Sequence, residues 1–206
     1  MKKISKLFLG FTLLFTVVLT GCGINNQARQ IKALEKCTYR IVDIQNVTVA
    51  GVDFDKIFKN DEINLAAIPS LAFGLLTKDV PLRSTVLIEI NNPTQNPAAI
   101  NQFDYIVQLS KEELVNGTVE TPLNVQPGSS ITIPVKINTN IHRLVTNKEL
   151  LNQVLEVYRN RKTDTSLGEL TVKLKPTFQL GKSTFKYPGY INIKKNIDLN
   201  KILSSK

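Results

Sequence analysis

Apolar and polar side chains alternate with a period of two along much of this chain, as they do in strands with one buried and one wet face. Tyr39 and Ile41 begin the pattern, and Val47 and Val49 continue it past a shift. Val86, Ile88 and Ile90 follow, with Glu89 and Asn91 on the opposite face, and then Phe103, Tyr105, Val107 and Leu109. Ile131, Ile133, Val135 and Ile137 alternate with Thr132, Pro134, Lys136 and Asn138. Pro134 has no backbone N–H, so this strand is expected at a sheet edge or with a bulge there. Leu170, Val172 and Leu174 alternate with Thr171, Lys173 and Lys175, and residues 190–199 supply a last strand. Pro127-Gly128 and Pro188-Gly189 suit type II turns, and Asn116-Gly117 suits a type I′ hairpin or a bulge. Regular strands with such punctuation predict a mainly β chain folded as an antiparallel β-sandwich.

Two segments have a different period. In "TNKELLNQVLEVYRNRK" (146–162), Thr146 and Glu149 form a capping box, and Leu150, Leu151, Val154, Leu155 and Tyr158 share one helical face. Arg159, Arg161 and Lys162 meet the negative end of the dipole, so one long helix is expected over 146–162. "NLAAIPSLAFGLL" (64–76) is apolar nearly all round and is interrupted by Pro69 and Gly74. It reads as a short apolar helical insertion, equally a buried helix or a lid.

The first residues follow neither pattern. Met1–Lys6 carries three lysines and no acid, and Leu7–Leu19 is almost unbroken apolar sequence. That is the layout of a secretory signal, and at about 20 Å the run is short of the roughly 30 Å hydrocarbon core. Leu19-Thr20-Gly21-Cys22 resembles the lipobox of bacterial lipoproteins. The resemblance implies lipidation of Cys22 through a thioether, cleavage before it and acylation of the new amine, palmitate being the usual label for such chains. Small residues ahead of the cysteine admit the peptidase, and the thiolate is the nucleophile that takes up lipid. Two or three acyl chains hold stably where one is marginal. The expected organisation is a signal peptide (1–21), a lipidated tether (22–37) and one β-sandwich (38–200). The tether reading rests on residues 23–36, which are polar with weak periodicity.

Composition adds little to the fold: 42% hydrophobic residues suit an ordinary globular chain. With Cys22 acylated, Cys37 has no partner for a disulfide and reads as a small apolar residue near the first strand. Charge is more telling. Residues 22–140 hold 10 basic and 12 acidic side chains, whereas residues 141–206 hold 13 and 5. The excess lies in the last third, which marks either a solvated face or an anionic partner.

Candidate chemistry is sparse. His142 is the single histidine, so a multi-histidine metal cluster is excluded. Asp53, Asp55, Glu112 and Glu113 are paired acids on which nothing else converges. "PTFQLGKS" (176–183) ends like a phosphate-binding loop, but Pro176 stands where its first glycine belongs and no helix follows. No catalytic residue, metal ligand or cofactor site is expected, and no nucleic-acid partner.

Residues 86–138 contain Asn92-Pro93 after a strand, Tyr105 in the next, Gly117 in a third and Pro134-Val135 in a fourth. This resembles the late embryogenesis abundant proteins of group 2, the WHy (water stress and hypersensitive response) domain. A helix, a strand like Leu170–Leu174 and a finish like "STFKYPGYINI" (183–193) extend the likeness over roughly residues 39–195. Thr94 departs from the family's second Asn, and residues 60–80 look inserted. The resemblance implies an immunoglobulin- or fibronectin III-like sandwich with a helix, associated with desiccation or stress tolerance and not with catalysis. Asn92 has a structural reading here: Pro93 forces it extended, and its side chain suits local backbone bonds.

The expectation is a non-enzymatic, lipid-anchored protein of the bacterial cell envelope, on the periplasmic side of the outer membrane, whose sandwich binds or shields other macromolecules. Its partners would be the membrane through Cys22, anionic lipid or lipopolysaccharide through the basic last third, and a protein partner. The alternative is a periplasmic carrier for a small apolar ligand with 64–76 as its flap, which a cavity between the sheets under that segment would favour.

Overall fold

The computed structural model describes residues 25–57, 68–149, 151, 152, 156, 166–180 and 183–198. In chain order these form α1 (25–35), β1 (Thr38–Val49), β2 (Val52–Asp53), α2 (Phe54–Ile57), α3 (Pro69–Thr77) and β3 (Pro81–Asn91). Next come β4 (Ala98–Ile100), β5 (Gln102–Leu109), β6 (Glu112–Val119), β7 (Leu123–Val125), β8 (Ser130–Asn140) and α4 (His142–Thr146). The last strands are β9 (Ser166–Leu180), β10 (Ser183–Lys186) and β11 (Ile191–Asp198).

The period-two alternation becomes two antiparallel sheets. One is four-stranded in the order β2-β1-β3-β8; the other is five-stranded, β10-β9-β5-β6, with β11 also on β9. Val86, Ile88, Ile90, Ile133, Val135 and Ile137 from the first sheet share one buried cluster with Phe103, Val107, Leu170, Val172, Leu174 and Ile193 from the second. The chain is therefore a mainly β antiparallel sandwich, with the strand phases read from the sequence. Pro134 sits on β8 opposite Leu87, at an edge of the first sheet, where a missing N–H costs no ladder bond.

Side-chain bonds stitch both sides of the sandwich. On one side the Thr139 hydroxyl of β8 donates to the Leu114 carbonyl of β6 (2.5 Å), and the Tyr105 hydroxyl donates to the Lys136 carbonyl (3.1 Å). On the other side β1 bulges between Ile41 and Asp43, and Lys195 Nζ of β11 donates to the Ile41 and Val42 carbonyls, both at 3.0 Å. A second bulge in β1 holds Asn46 at φ 54°, a left-handed conformation that asparagine tolerates.

Several local expectations are corrected. The β5–β6 turn is Ser110-Lys111, at φ 48° and 76°, and not Asn116-Gly117. Gly117 lies inside β6 opposite Tyr105, where a Cβ would stand 2.7 Å from the tyrosine oxygen. Pro127-Gly128 is a turn with Gly128 at φ 65°, closed by Ser129 N–H to the Gln126 carbonyl (3.2 Å). Pro188-Gly189 is a bend with Gly189 outside the left-handed region. Pro69 opens α3 rather than interrupting a helix, because its missing N–H is an unused one at a first turn.

Thr146 ends α4, its hydroxyl donating to the His142 carbonyl (2.7 Å), so it is not available as the cap. Asn147 takes that role, its Oδ1 accepting from Glu149 N–H (3.0 Å). Residues 148, 149, 151, 152 and 156 are helical, and the remainder of 146–162 lies outside the described residues. Residues 25–35 are helix rather than coil. Ile31, Ala33 and Leu34 pack on the main core, with Ala33 and Leu34 only 3% and 2% exposed. Two or three apolar residues in a polar stretch gave a weak pattern, yet their i, i+3 spacing is enough to dock one helical face.

The core phase has a direct check. Ile133→Ala or Leu174→Ala is expected to cost about 2–5 kcal/mol, and Thr132→Ala, on the wet face of β8, about 0.5 kcal/mol or less. Urea denaturation midpoints measure both.

Candidate functional site

The two ends of the sandwich differ. At one end lie the start of β1, the end of β3 and the start of β8, and at the other lie the end of β1, Val80 and Ile141. The sequence-predicted site residue, Cys22, lies outside the described residues, three positions before α1 begins.

α1 closes the first end. Between its last turn and the 187–191 segment is a cavity of about 150 Å³ lined by Leu34, Glu35, Cys37, Tyr39, Tyr187 and Ile191. The Tyr39 hydroxyl donates to the Leu34 carbonyl (3.0 Å), and the Cys37 thiol approaches the Ala33 carbonyl (3.4 Å). Burial pushes both groups' pKa up, the tyrosine also feeling Cys37 and Tyr187, so each stays protonated. A protonated, buried thiol is a poor nucleophile, which fits the packing role given to Cys37. The cavity is below the 300–1,000 Å³ usual for organic ligands.

Asn92 organises the same end. Its side chain is fully buried, and Nδ2 donates to the carbonyls of Asn96 (2.9 Å) and Val125 (2.9 Å), with that of Gln126 at 3.3 Å. Oδ1 accepts from Thr94 N–H (3.0 Å) and faces the Thr94 hydroxyl (2.8 Å). Asn92 N–H donates to the Ser129 carbonyl and Gly128 N–H to the Asn92 carbonyl, both at 2.9 Å. Every polar atom of Asn92 is used inside the fold, so it has none left for a ligand. Thr94, in place of a second Asn, completes the network with its hydroxyl.

α3 caps the other end. Leu71 packs with Val49, Ile57, Val80 and Ile141, and Asn140 joins α3 to α4, its Nδ2 donating to the Lys78 carbonyl (2.9 Å) and its Oδ1 accepting from Val80 N–H (3.0 Å) and His142 N–H (2.9 Å). Phe73 and Leu76, one turn apart, point outward at 67% and 83% exposure. The segment is an end cap with its own small cluster. The space between the sheets is occupied by side chains such as Ile88, Phe103, Val135 and Val172, none more than 1% exposed.

The basic last third is partly spent within the fold. Lys186 pairs with Asp104 (2.6 Å), Lys194 with Glu169 (2.8 Å), and Lys175 stands 5.3 Å above the Tyr190 ring. Lys195 faces the core side of β11 and bonds β1, so it leaves the surface count. Arg159, Arg161 and Lys162 lie outside the described residues. Of the paired acids, Asp53 binds Lys56 and Glu113 accepts from Asn116 Nδ2 (2.7 Å), which are ordinary surface contacts. Of "PTFQLGKS", residues 176–180 lie on β9 and Ser183 on β10, with no helix starting between them among the described residues, and Gly181 and Lys182 lie outside those residues.

No protein family matches the chain, and no curated protein matches it. Solved structures do. A protein of Archaeoglobus fulgidus is 16% identical, with 58% of this chain and 87% of that one covered and a TM-score of 0.31. A protein of Arabidopsis thaliana solved in solution is 12% identical, with 78% and 80% covered and a TM-score of 0.42. A protein assigned to the late embryogenesis abundant class is 13% identical, with 94% and 90% covered and a TM-score of 0.34.

Asp104 offers a pH test. Lys186 first, and then the Thr118 hydroxyl (2.9 Å), hold its carboxyl below the ordinary aspartate range. A depressed folded-state pKa stabilises above the unfolded value and loses that contribution as pH falls through the folded one. The stability gap between wild type and Asp104→Asn is therefore expected to be present at pH 7 and to shrink as pH drops below the ordinary aspartate value. Denaturant titrations across that range measure it.

Proposed function

We propose that this chain is a non-enzymatic, lipid-anchored lipoprotein of the bacterial cell envelope, held on the periplasmic side of the outer membrane through acyl chains on Cys22. In this reading its sandwich, of the late-embryogenesis-abundant, WHy-domain kind, binds or shields other macromolecules under stress. What supports the reading is the sequence at the start of the chain and the helix that follows it. A signal layout ends at Cys22, and a helix that is part of the folded core begins at residue 25. The acyl chains are thereby joined to a body rather than to a long leash.

In this reading the buried polar groups serve the fold, and binding is left to the surface. Asn92, Lys195 and Tyr39 are consumed by the fold, and the buried thiol of Cys37 is protonated. Of the two meanings of the basic last third, a solvated face or an anionic partner, this reading takes the partner, as lipid or lipopolysaccharide. The apolar-carrier reading calls for a cavity between the sheets beneath α3. The closely buried side chains between the sheets, such as Ile88, Phe103, Val135 and Val172, favour the first reading.

Cys22→Ser tests the anchor. The variant is expected to accumulate as uncleaved precursor with no incorporated palmitate, while wild type is labelled and shifts to the mature size. Palmitate retained by Cys22→Ser would end the lipoprotein reading.

A further inference from the structure

We infer that the α1 end of the sandwich is a docking surface for an anionic phospholipid bilayer, so that the domain stands end-on with α3 pointing away from the membrane. The inference rests on acylation at Cys22 and adds to it a surface and an orientation.

The charge comes from α1. Arg29 and Lys32 on the helix and Lys36 in its closing turn are spaced i, i+3, i+7, so at 3.6 residues per turn they share one face. All three are exposed, on the side opposite the Leu34 face that packs on the core. None of them takes part in an ion pair among the described residues. A basic helical stripe beside an acyl anchor is the arrangement that attracts acidic headgroups.

The linker is short enough to allow the contact. Three residue steps separate Cys22 from residue 25, and at no more than about 3.6 Å each they span roughly 11 Å. Arg29 lies four helical residues, about 6 Å, further on and Lys36 about 16 Å, so the tether is short enough for α1 to lie down on the headgroups, whose field acts within the Debye length of about 8–10 Å at physiological salt.

The same end carries exposed aromatic rings. Phe185 and Tyr190 are 45% and 44% exposed, and the 187–191 segment between them and β11 lines the cavity against Leu34. The Phe185 ring rests on Phe178 at 5.8 Å, and Lys175 Nζ lies over the Tyr190 ring. Rings held in this way beside a lysine suit the headgroup layer, where an apolar body and a wet tip are both accommodated. Phe73 and Leu76 are more exposed but sit beyond the far end of β1. At about 3.3 Å per residue that 12-residue strand is roughly 40 Å long, so one flat bilayer cannot meet both ends.

The chain contains no tryptophan, so one introduced indole reports without background. Full chain carrying Tyr190→Trp or Phe73→Trp is purified with its acyl groups and reconstituted into vesicles of brominated phosphatidylcholine, with or without phosphatidylglycerol. The anchor keeps every variant on the vesicle, so quenching reads orientation. With phosphatidylglycerol present, the Tyr190→Trp indole is expected to be quenched several-fold more than the Phe73→Trp indole. Adding Arg29→Gln, Lys32→Gln and Lys36→Gln, all at exposed positions, is expected to return it to the level seen in phosphatidylcholine alone. Equal quenching of both indoles, stronger quenching at Phe73→Trp, or indifference to lipid charge and to the triple change would overturn the docking. Palmitate labelling of the same preparation separates the two failures: unlabelled chain removes the anchor and the docking with it, whereas labelled chain with an unquenched Tyr190→Trp indole removes the docking alone.

Discussion

A buried asparagine cannot leave its amide unpaired, and Asn92 meets that constraint by tying together four stretches of chain. It ends β3, a central strand of the first sheet, and its side chain reaches the 94–96 loop and the backbone at 125–126. Its main chain holds the 128–129 turn that launches β8. Because β3 pairs with β8 along its whole length, from Pro81 opposite Asn140 to Asn91 opposite Ser130, fixing this turn fixes the register of the pair. The small β4–β7 ladder, with Ala98 and Val125 buried in the core, is placed by the same bonds. Hydrophobic burial drives the two sheets together, but it does not choose among registers that differ by two residues. The amide network does.

From that end outward the molecule is asymmetric. The sides are stitched by single polar side chains, Thr139 and Tyr105 on one and Lys195 on the other, each satisfying carbonyls at an edge or a bulge that would otherwise be exposed. Edges closed in this way offer little template for strand addition by another chain. The two ends differ more than the two sides. One end has α1, a basic stripe and two half-exposed rings; the other has α3 and the apolar pair Phe73 and Leu76. In the proposed reading the first faces lipid, which leaves the second to face the envelope space.

Strand phases were legible because burial on one face leaves a period-two record that no other constraint erases, as in Val86–Ile90, Ile131–Ile137 and Leu170–Leu174. Pro134 was legible for a related reason, since a residue without an N–H has few places in a sheet. Misreadings arose where two good local signals competed. Asn116-Gly117 carries the turn signature, yet that glycine is where the Tyr105 ring lies over the neighbouring strand. Thr146 and Asn147 are both able caps, and the threonine hydroxyl was taken by the preceding turn. Lys195 stands in a core-facing register of β11, where a lysine is rare. The bulge carbonyls that hold it leave no mark of their own in the sequence. In α1 the apolar residues were too few to reveal a helix by pattern. The lipobox-like run ending at Cys22 is a feature of the sequence alone, and the basic stripe of α1 becomes visible only in the fold.

Asn92→Ala compared with its neighbour Asn91→Ala tests the central claim most directly, through the free energy of unfolding in urea. Asn91 lies on the outer face, and among the described residues its side chain bonds Thr38 and Ser130 at 3.4 and 3.1 Å. Removing the Asn92 amide leaves buried carbonyls and an N–H without partners, which predicts a loss of about 3–5 kcal/mol against about 1 kcal/mol or less for Asn91→Ala. Equal, small losses for the two variants would contradict the account, because the register of β3 and β8 would then be held by apolar burial alone.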